Sequence, residues 1–159
     1  WGGSCSGTSA TAVVTMTADA GCRIIIGGNP EPGLSKTRTA PGILEEAFLA
    51  AHAGVPLIVI GGFGGAAGLI ASAILGRLDP GERQRLAAHF RDPAMIFPED
   101  SLPAERSFEM MLTRLNSRGV LRNGLHDGEN ELLLTSRDPK TIVALVQRSI
   151  DRISSHRTG

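Results

Sequence analysis

Two glycine pairs carry most of the chemistry this chain can be expected to do. Gly27-Gly28 and Gly61-Gly62 each follow a short apolar run, and the second pair extends into Gly61-Gly62-Phe63-Gly64-Gly65. Glycine lacks a Cβ, so a ligand can approach the main chain closely, and amides at a helix start favour an anion. Between the pairs lie Lys36 and Arg38, then Pro41-Gly42 and the acidic pair Glu45-Glu46. A guanidinium binds phosphate or carboxylate through charge-assisted hydrogen bonds. This set predicts a site for a negatively charged, phosphorylated small molecule. Tight turns alone would account for one glycine pair; two pairs after successive strands favour binding.

The elements that must position these residues follow from the apolar pattern. Arg23–Ile26 and residues 56–60 are too short for helices, rich in isoleucine and valine, and closed by glycine, so both predict buried strands. A helix pattern follows each. Pro41 suits a first helical turn, and Ile43, Leu44, Ala47, Phe48 and Ala51 then share a face up to Gly54. His52 falls near the end of that helix and reads as a solvated cap. Residues 66–76 predict an alanine-rich helix able to approach a sheet closely. Strand, glycine turn and helix, given twice, predict an α/β fold with a parallel sheet, whose ligands sit beyond the carboxyl ends of the strands.

The flanking segments fill out the layers. Residues 9–20 predict a helix feeding the first strand. A turn at 76–81 precedes a short helix at 82–90, and a proline-rich connection at 91–103 leads to a helix at 105–118 with Phe108, Met111, Leu112 and Leu115 inward. Residues 131–135, ELLLT, predict a third strand. Asp138 and Pro139 then open a closing helix with Ile142, Val143, Leu145, Val146, Ile150 and Ile153 as its buried stripe. The expected architecture is a three-layer α/β sandwich with a mainly parallel sheet. Its core is expected to hold Ile24, Ile26, Leu57, Val59 and Leu133.

Several sharper motifs fail on spacing. Gly28-x4-Gly33 followed by Lys36 is two residues too long for a phosphate-binding P-loop, and Pro41 delays the helix. Gly62-Phe63-Gly64-Gly65-Ala66-Ala67 fits a dinucleotide fingerprint, but the acidic residue needed about 20 positions on falls in a turn around Asp79. Gly3-Ser4-Cys5-Ser6-Gly7 resembles a nucleophile elbow without a preceding strand. The oxygen side chains at 123–131 miss calcium-loop spacing. No metal and no cofactor is expected.

Composition narrows the function classes. The 159 residues suffice for one domain, and 42% are hydrophobic, enough to fold. Formal net charge is zero with no basic run, which argues against nucleic acid or a membrane surface as partner. No apolar run approaches a membrane span and no signal peptide is visible, so a cytoplasmic location with free Cys5 and Cys22 thiols is expected. The chain starts at Trp1, which is compatible with a piece of a longer multidomain protein.

The order Arg-Ile-Ile-Ile-Gly27-Gly28, Arg38-x-x-Pro41-Gly42-x-x-Glu45-Glu46-Ala47, Gly54-x-Pro56 and Gly61-Gly62-Phe63-Gly64-Gly65-Ala66 resembles the SLOG superfamily. Within it the chain looks most like prokaryotic relatives of the SLOG domain of TRPM-type cation channels. Asn123-Gly124-Leu125, Glu131-Leu132-Leu133 and the final helix are similar to that family's ending. The resemblance implies a single Rossmann-like domain over residues 1–159, binding a nucleotide, ADP-ribose, cyclic ADP-ribose or NAD-like ligand. It also implies a sensor role beside a fused effector in bacterial anti-phage or nucleotide signalling, and homo-oligomers. The alternative it carries is a LOG-like phosphoribohydrolase that cleaves the N-glycosidic bond of a nucleoside monophosphate. In that reading Arg38 would hold the phosphate and Glu46 would act on the bond. A long loop separates the glycines from Pro41-Gly42 and the glutamates here, which weakens the catalytic reading more than the binding one.

The candidate ligand-binding residues are therefore Gly27, Gly28, Asn29, Lys36, Arg38, Gly42, Glu45, Glu46, Gly61, Gly62, Phe63, Gly64 and Gly65. Consecutive helical residues point roughly 100° apart, so Glu45 and Glu46 cannot both face one ligand; Glu46, beside Ile43 and Ala47, is expected to.

Overall fold

Strand β1 (Arg23–Ile26) and strand β2 (Leu57–Ile60) pair in parallel, with Arg23 opposite Leu57 and Ile26 opposite Ile60. The computed structural model describes residues 21–30, 42–89, 113 and 119–157. Within them the chain continues from β1 through helix α1 (Gly42–Ala53) to β2, then α2 (Gly65–Ile74), α3 (Pro80–His89), α4 (Asp127–Thr135) and α5 (Pro139–Arg157). A parallel pair needs a helical crossover, which α1 supplies. Its end is set by Gly54 at φ 70, with the Val55 amide donating to the Ala50 carbonyl at 2.9 Å.

Alternation along the strands sends side chains to two cores. Ile25, Leu57 and Val59 pack with Leu44, Ala47 and Phe48 of α1 and with Ala67, Ile70 and Ala71 of α2. Ile58 and Ile60 pack on the other face with Leu133 of α4 and with Ile142 and Leu145 of α5. Helices thus cover both faces of a parallel pair, and the α/β class expected from the sequence is the one observed. Small residues set the α2 spacing: a Cβ at Gly61 would run into the Ala71 methyl and the Leu134 carbonyl oxygen.

Four expectations change. Residues 131–135 are the end of helix α4, not a third strand. A short apolar run does not choose between the two states. The choice falls to the helix start, where the His126 amide donates to the Glu129 carboxylate at 3.0 Å and Asp127 complements the dipole. In helical geometry Leu133 and Leu134 diverge, so one enters each core, while Leu132 is left exposed. In the place of a third strand, Leu121 and the Asn123 side chain bond to β2.

Ile24 and Ile26 are 46% and 52% exposed rather than core, and Ile25 is the buried residue of β1. Among the described residues α4 and α5 pack mainly over β2, and the Ile24 and Ile26 side chains on that face of β1 stay about half exposed. Leu57, Val59 and Leu133 are buried as expected. Val143, expected in the α5 stripe, is exposed, whereas Ile142 and Leu145 are buried. Helix α3 starts at Pro80, two residues earlier than expected, because Asp79 accepts the Glu82 amide at 2.8 Å while Glu82 accepts the Asp79 amide at 3.3 Å. The expected helix at 9–20, the loop cations and Cys5 lie outside the described residues, as does the expected helix at 105–118 apart from residue 113, which is helical; Cys22 is a free thiol.

Asp138 opens α5 as the sequence suggests, accepting the Thr141 amide at 3.0 Å and its hydroxyl at 2.6 Å. Those two bonds lower the Asp138 pKa. Glu129 is shifted further, from an ordinary 4.5 to about 2, first by the His126 amide and then by Arg148 and Arg152. Both folded-state values are depressed, so the stability they contribute is present above the unfolded pKa and is lost as pH falls through the folded one. Urea midpoints should therefore drop between pH 4.5 and about 2. Glu129→Gln should flatten that drop; an unchanged acid profile in the variant would remove Glu129 from the account.

Candidate functional site

The two glycine pairs meet. The Ala66 amide donates to the Gly28 carbonyl at 3.0 Å and the Ala67 amide to the Gly27 carbonyl at 2.8 Å. Helix α2 is thus capped by the main chain at the end of β1 rather than by a side chain. The contact requires glycine at Gly65, where φ is 67 and a Cβ would collide with the Gly28 carbonyl oxygen. Its neighbour Gly64 has φ 76 and ψ −152, a region only glycine occupies readily. Two of the amides the sequence offered to an anion at this helix start are therefore already committed.

Gly61 and Gly62 have a different reason to be glycine. A Cβ at Gly62 would press on the Ser136 carbonyl oxygen and sit 2.8 Å from that of Thr135. The turn between α4 and α5 lies directly on this loop, and Arg137 in that turn donates from Nε to the Gly62 carbonyl at 2.8 Å. A guanidinium is thereby fixed at the glycine loop, with its two remaining nitrogens outside that bond.

Beside the loop is a cleft of about 590 Å³ at the carboxyl end of β2. Its walls are Gly61, Gly62, Gly64 and Gly65, the face of α2 carrying Gly68, Leu69, Ser72 and Leu75, and Leu134, Thr135 and Arg137 opposite. Pro30 borders it from the first glycine loop, and Arg77 and Glu82 from the α2–α3 connection. The size suits a nucleotide-scale ligand. Exposed Arg137 and Arg77 supply positive charge, while Gly62 and Thr135 bring main-chain polar groups.

Residues 8–133 match the family model described as SLOG cluster2. The chain belongs to the SLOG family. No curated protein and no solved structure matches the chain. The matched span of the SLOG domain ends within α4, so Arg137 and α5 lie beyond it.

The remaining expected site residues fall in several places. Gly61, Gly62, Gly64 and Gly65 line the cleft, and Gly27 and Gly28 support its floor through α2. Phe63 stands half exposed at the tip of the loop, and Asn29 is exposed beside Pro30. Gly42 opens α1, away from the cleft walls. Glu46 pairs with Arg23 at 3.8 Å, at the end of β1 opposite the glycines, and does not line the cleft. Lys36, Arg38 and the Glu45 side chain lie outside the described residues. Sequence reasoning did not single out the two cleft-lining arginines, because Arg137 lies 75 positions from Gly62 and Arg77 falls in the 76–81 turn, read only as a connection.

The loop that precedes α4 carries the support for this site. Asn123 is 1% exposed and joins its loop to three elements, β2, α4 and α5. Its Nδ2 donates to the Leu57 carbonyl and to Asn130 Oδ1, both at 2.9 Å, and its Oδ1 accepts the Leu125 amide at 3.1 Å. Its own carbonyl accepts the Ser149 hydroxyl at 2.8 Å. The Leu57 amide donates to the Leu121 carbonyl at 2.7 Å, so residues 121–123 satisfy both main-chain groups of the first β2 residue. Arg122 between them has φ 46, the left-handed conformation that lets both neighbours reach Leu57. Glu129, in the first turn of α4, ties that helix to α5 through Arg148 and through Arg152 at 2.7 Å, and Arg152 also donates to the Gly124 carbonyl of the loop at 2.8 Å.

Proposed function

We propose that this SLOG domain is a ligand-binding sensor for a phosphorylated, nucleotide-derived molecule of the ADP-ribose, cyclic ADP-ribose or NAD class. The observation that carries the reading is the Arg137 guanidinium held on the Gly62 carbonyl at the edge of a nucleotide-sized cleft. Phosphate oxygens would be held by Arg137, and the apolar side of α2 at Leu69 and Leu75 would take the base or the carbon face of a ribose. Occupancy could be passed to an effector through the α4–α5 turn, which touches both the ligand loop and the final helix. This arrangement suits a role in bacterial nucleotide signalling, including anti-phage signalling. In the phosphoribohydrolase alternative Glu46 acts on the bond, and its pairing with Arg23 turns that carboxylate away from the cleft; Glu82, the carboxylate that does border the cleft, accepts the Asp79 amide at the start of α3.

Calorimetry of the chain against ADP-ribose, cyclic ADP-ribose isomers, NAD and AMP tests the proposal. Binding tighter than about millimolar, roughly −4 kcal/mol, is expected for at least one of them. Arg137→Ala should weaken it about thirtyfold, the equivalent of about 2 kcal/mol for a charge-assisted bond. The wild-type affinity should also fall with added salt. Absence of binding by all four compounds would end the sensor reading for this ligand class, and an unaltered affinity in Arg137→Ala would remove the anchor assigned here.

A further inference from the structure

The two guanidiniums that line the glycine cleft are not equally available to a ligand. Arg137 donates to a neutral acceptor, the Gly62 carbonyl, and keeps its charge. Arg77 is bound instead to a carboxylate: its Nη2 lies 2.7 Å from Glu131 Oε1. Glu131 stands on α4 and does not line this cleft. We propose that the Arg77–Glu131 pair is an autoinhibitory latch: it neutralises Arg77 until an anionic ligand takes the guanidinium from Glu131. This inference rests on the sensor reading above and concerns the regulation of that same site.

The backbone of Arg77 is fixed and its side chain is left to move. Gly76 at φ 66 closes α2, and the Arg77 amide donates to the Ser72 carbonyl at 2.7 Å. The guanidinium can therefore turn between Glu131 and the cleft without a change in the main chain. Both members of the pair are more than half exposed, at 60% and 53%, and an ion pair in that setting is weak. A phosphate outcompetes the carboxylate, because it carries more charge and also accepts two parallel bonds from one guanidinium. A neutral occupant offers Arg77 nothing in exchange, so the latch favours anionic occupants over uncharged ones of similar shape. Release also reaches α4. Glu131 lies one turn before Thr135, whose hydroxyl donates to the Glu131 carbonyl at 2.8 Å and which lines the cleft. The turn that follows Thr135 is the one that holds Arg137 on Gly62. Capture of Arg77 by a ligand thus loosens the helix that leads into the Arg137 anchor.

Calorimetry of the full chain with ADP-ribose as probe tests the latch. Glu131→Gln keeps the size of the side chain but removes the charge that holds Arg77, and should tighten ADP-ribose about threefold. Arg77→Gln should weaken it about tenfold, and in that background Glu131→Gln should have no further effect. Asp127→Asn is the control: it removes the same charge one turn earlier on α4, from an exposed residue outside the Arg77 pair, and should leave the affinity within about twofold. Circular dichroism establishes that the variants fold. An unchanged affinity in Glu131→Gln would overturn the latch. So would equal tightening by Asp127→Asn, or tightening that persists without Arg77, since either would mean a general loss of negative charge. Each of these leaves the sensor reading intact, whereas a wild-type chain that does not bind ADP-ribose would remove the latch together with the site it regulates.

Discussion

Replacing Asn123 by alanine should cost the fold about 3 kcal/mol, measured as a shift of the urea unfolding free energy. The side chain is 1% exposed and serves three main-chain or side-chain partners. Removing it leaves the Leu57 carbonyl, Asn130 Oδ1 and the Leu125 amide to find new partners in a place water reaches poorly, and a buried polar group left unpaired is expensive. Asn123→Asp keeps the size but replaces the donor with an acceptor, so it should be no better than alanine at neutral pH. Ser149→Ala removes only the hydroxyl bond to the Asn123 carbonyl and should cost far less, about 1 kcal/mol. If the alanine variant at Asn123 unfolds like the wild type, the loop is not what holds β2 to α4 and α5.

Gly65→Ala should destabilise by about 3 kcal/mol, combining a left-handed backbone with a main-chain collision. The obstruction is the Gly28 carbonyl oxygen, backed by the Gly27 carbonyl carbon at 3.1 Å, and neither is a flexible side chain that can swing away. Gly27→Ala is the control. It has a similar φ of 60, but nothing lies within 4 Å of the added Cβ. It should show the conformational penalty alone, about 1 kcal/mol. Equal losses in the two variants would mean that the interlock of the glycine pairs contributes nothing beyond backbone strain. The larger loss at Gly65 should be accompanied by impaired ligand binding, since that residue also lines the cleft.

The parts of this fold written in local pattern were legible. Short isoleucine-rich runs closed by glycine gave β1 and β2, and the alanine spacing after Gly65 marked a helix that approaches the sheet. Asp138-Pro139 signalled the start of α5 through capping chemistry confined to four residues. The segment ELLLT was not legible in the same way. Three leucines in succession satisfy a strand or a helix, and the deciding partners are the Glu129 carboxylate and two separate cores. Ile24 and Ile26 misled because composition says that isoleucine prefers the interior, while burial depends on which helices cover which strand.

The site divides along the same line. The glycines could be found from their spacing, but the reason for each could not. Gly61 and Gly62 are needed for the approach of α4 and the turn after it, and Gly65 for the approach of the β1 end. Arg137 contacts Gly62 across 75 positions of sequence, so no local motif announces it. Helix geometry singles out Glu46 over Glu45, but it does not show the Arg23 guanidinium at the start of β1, 3.8 Å from the Glu46 carboxylate.

Amide mapping by NMR during titration with ADP-ribose tests the central claim most directly. Binding in the cleft between α2 and the α4–α5 turn predicts the largest shifts at Gly61, Gly62, Gly64, Gly65, Gly68, Ser72 and Arg137, with Gly42 and Glu46 little changed. Shifts concentrated at Gly42–Glu46, with the cleft amides unmoved, would contradict this placement and return the ligand to the start of α1.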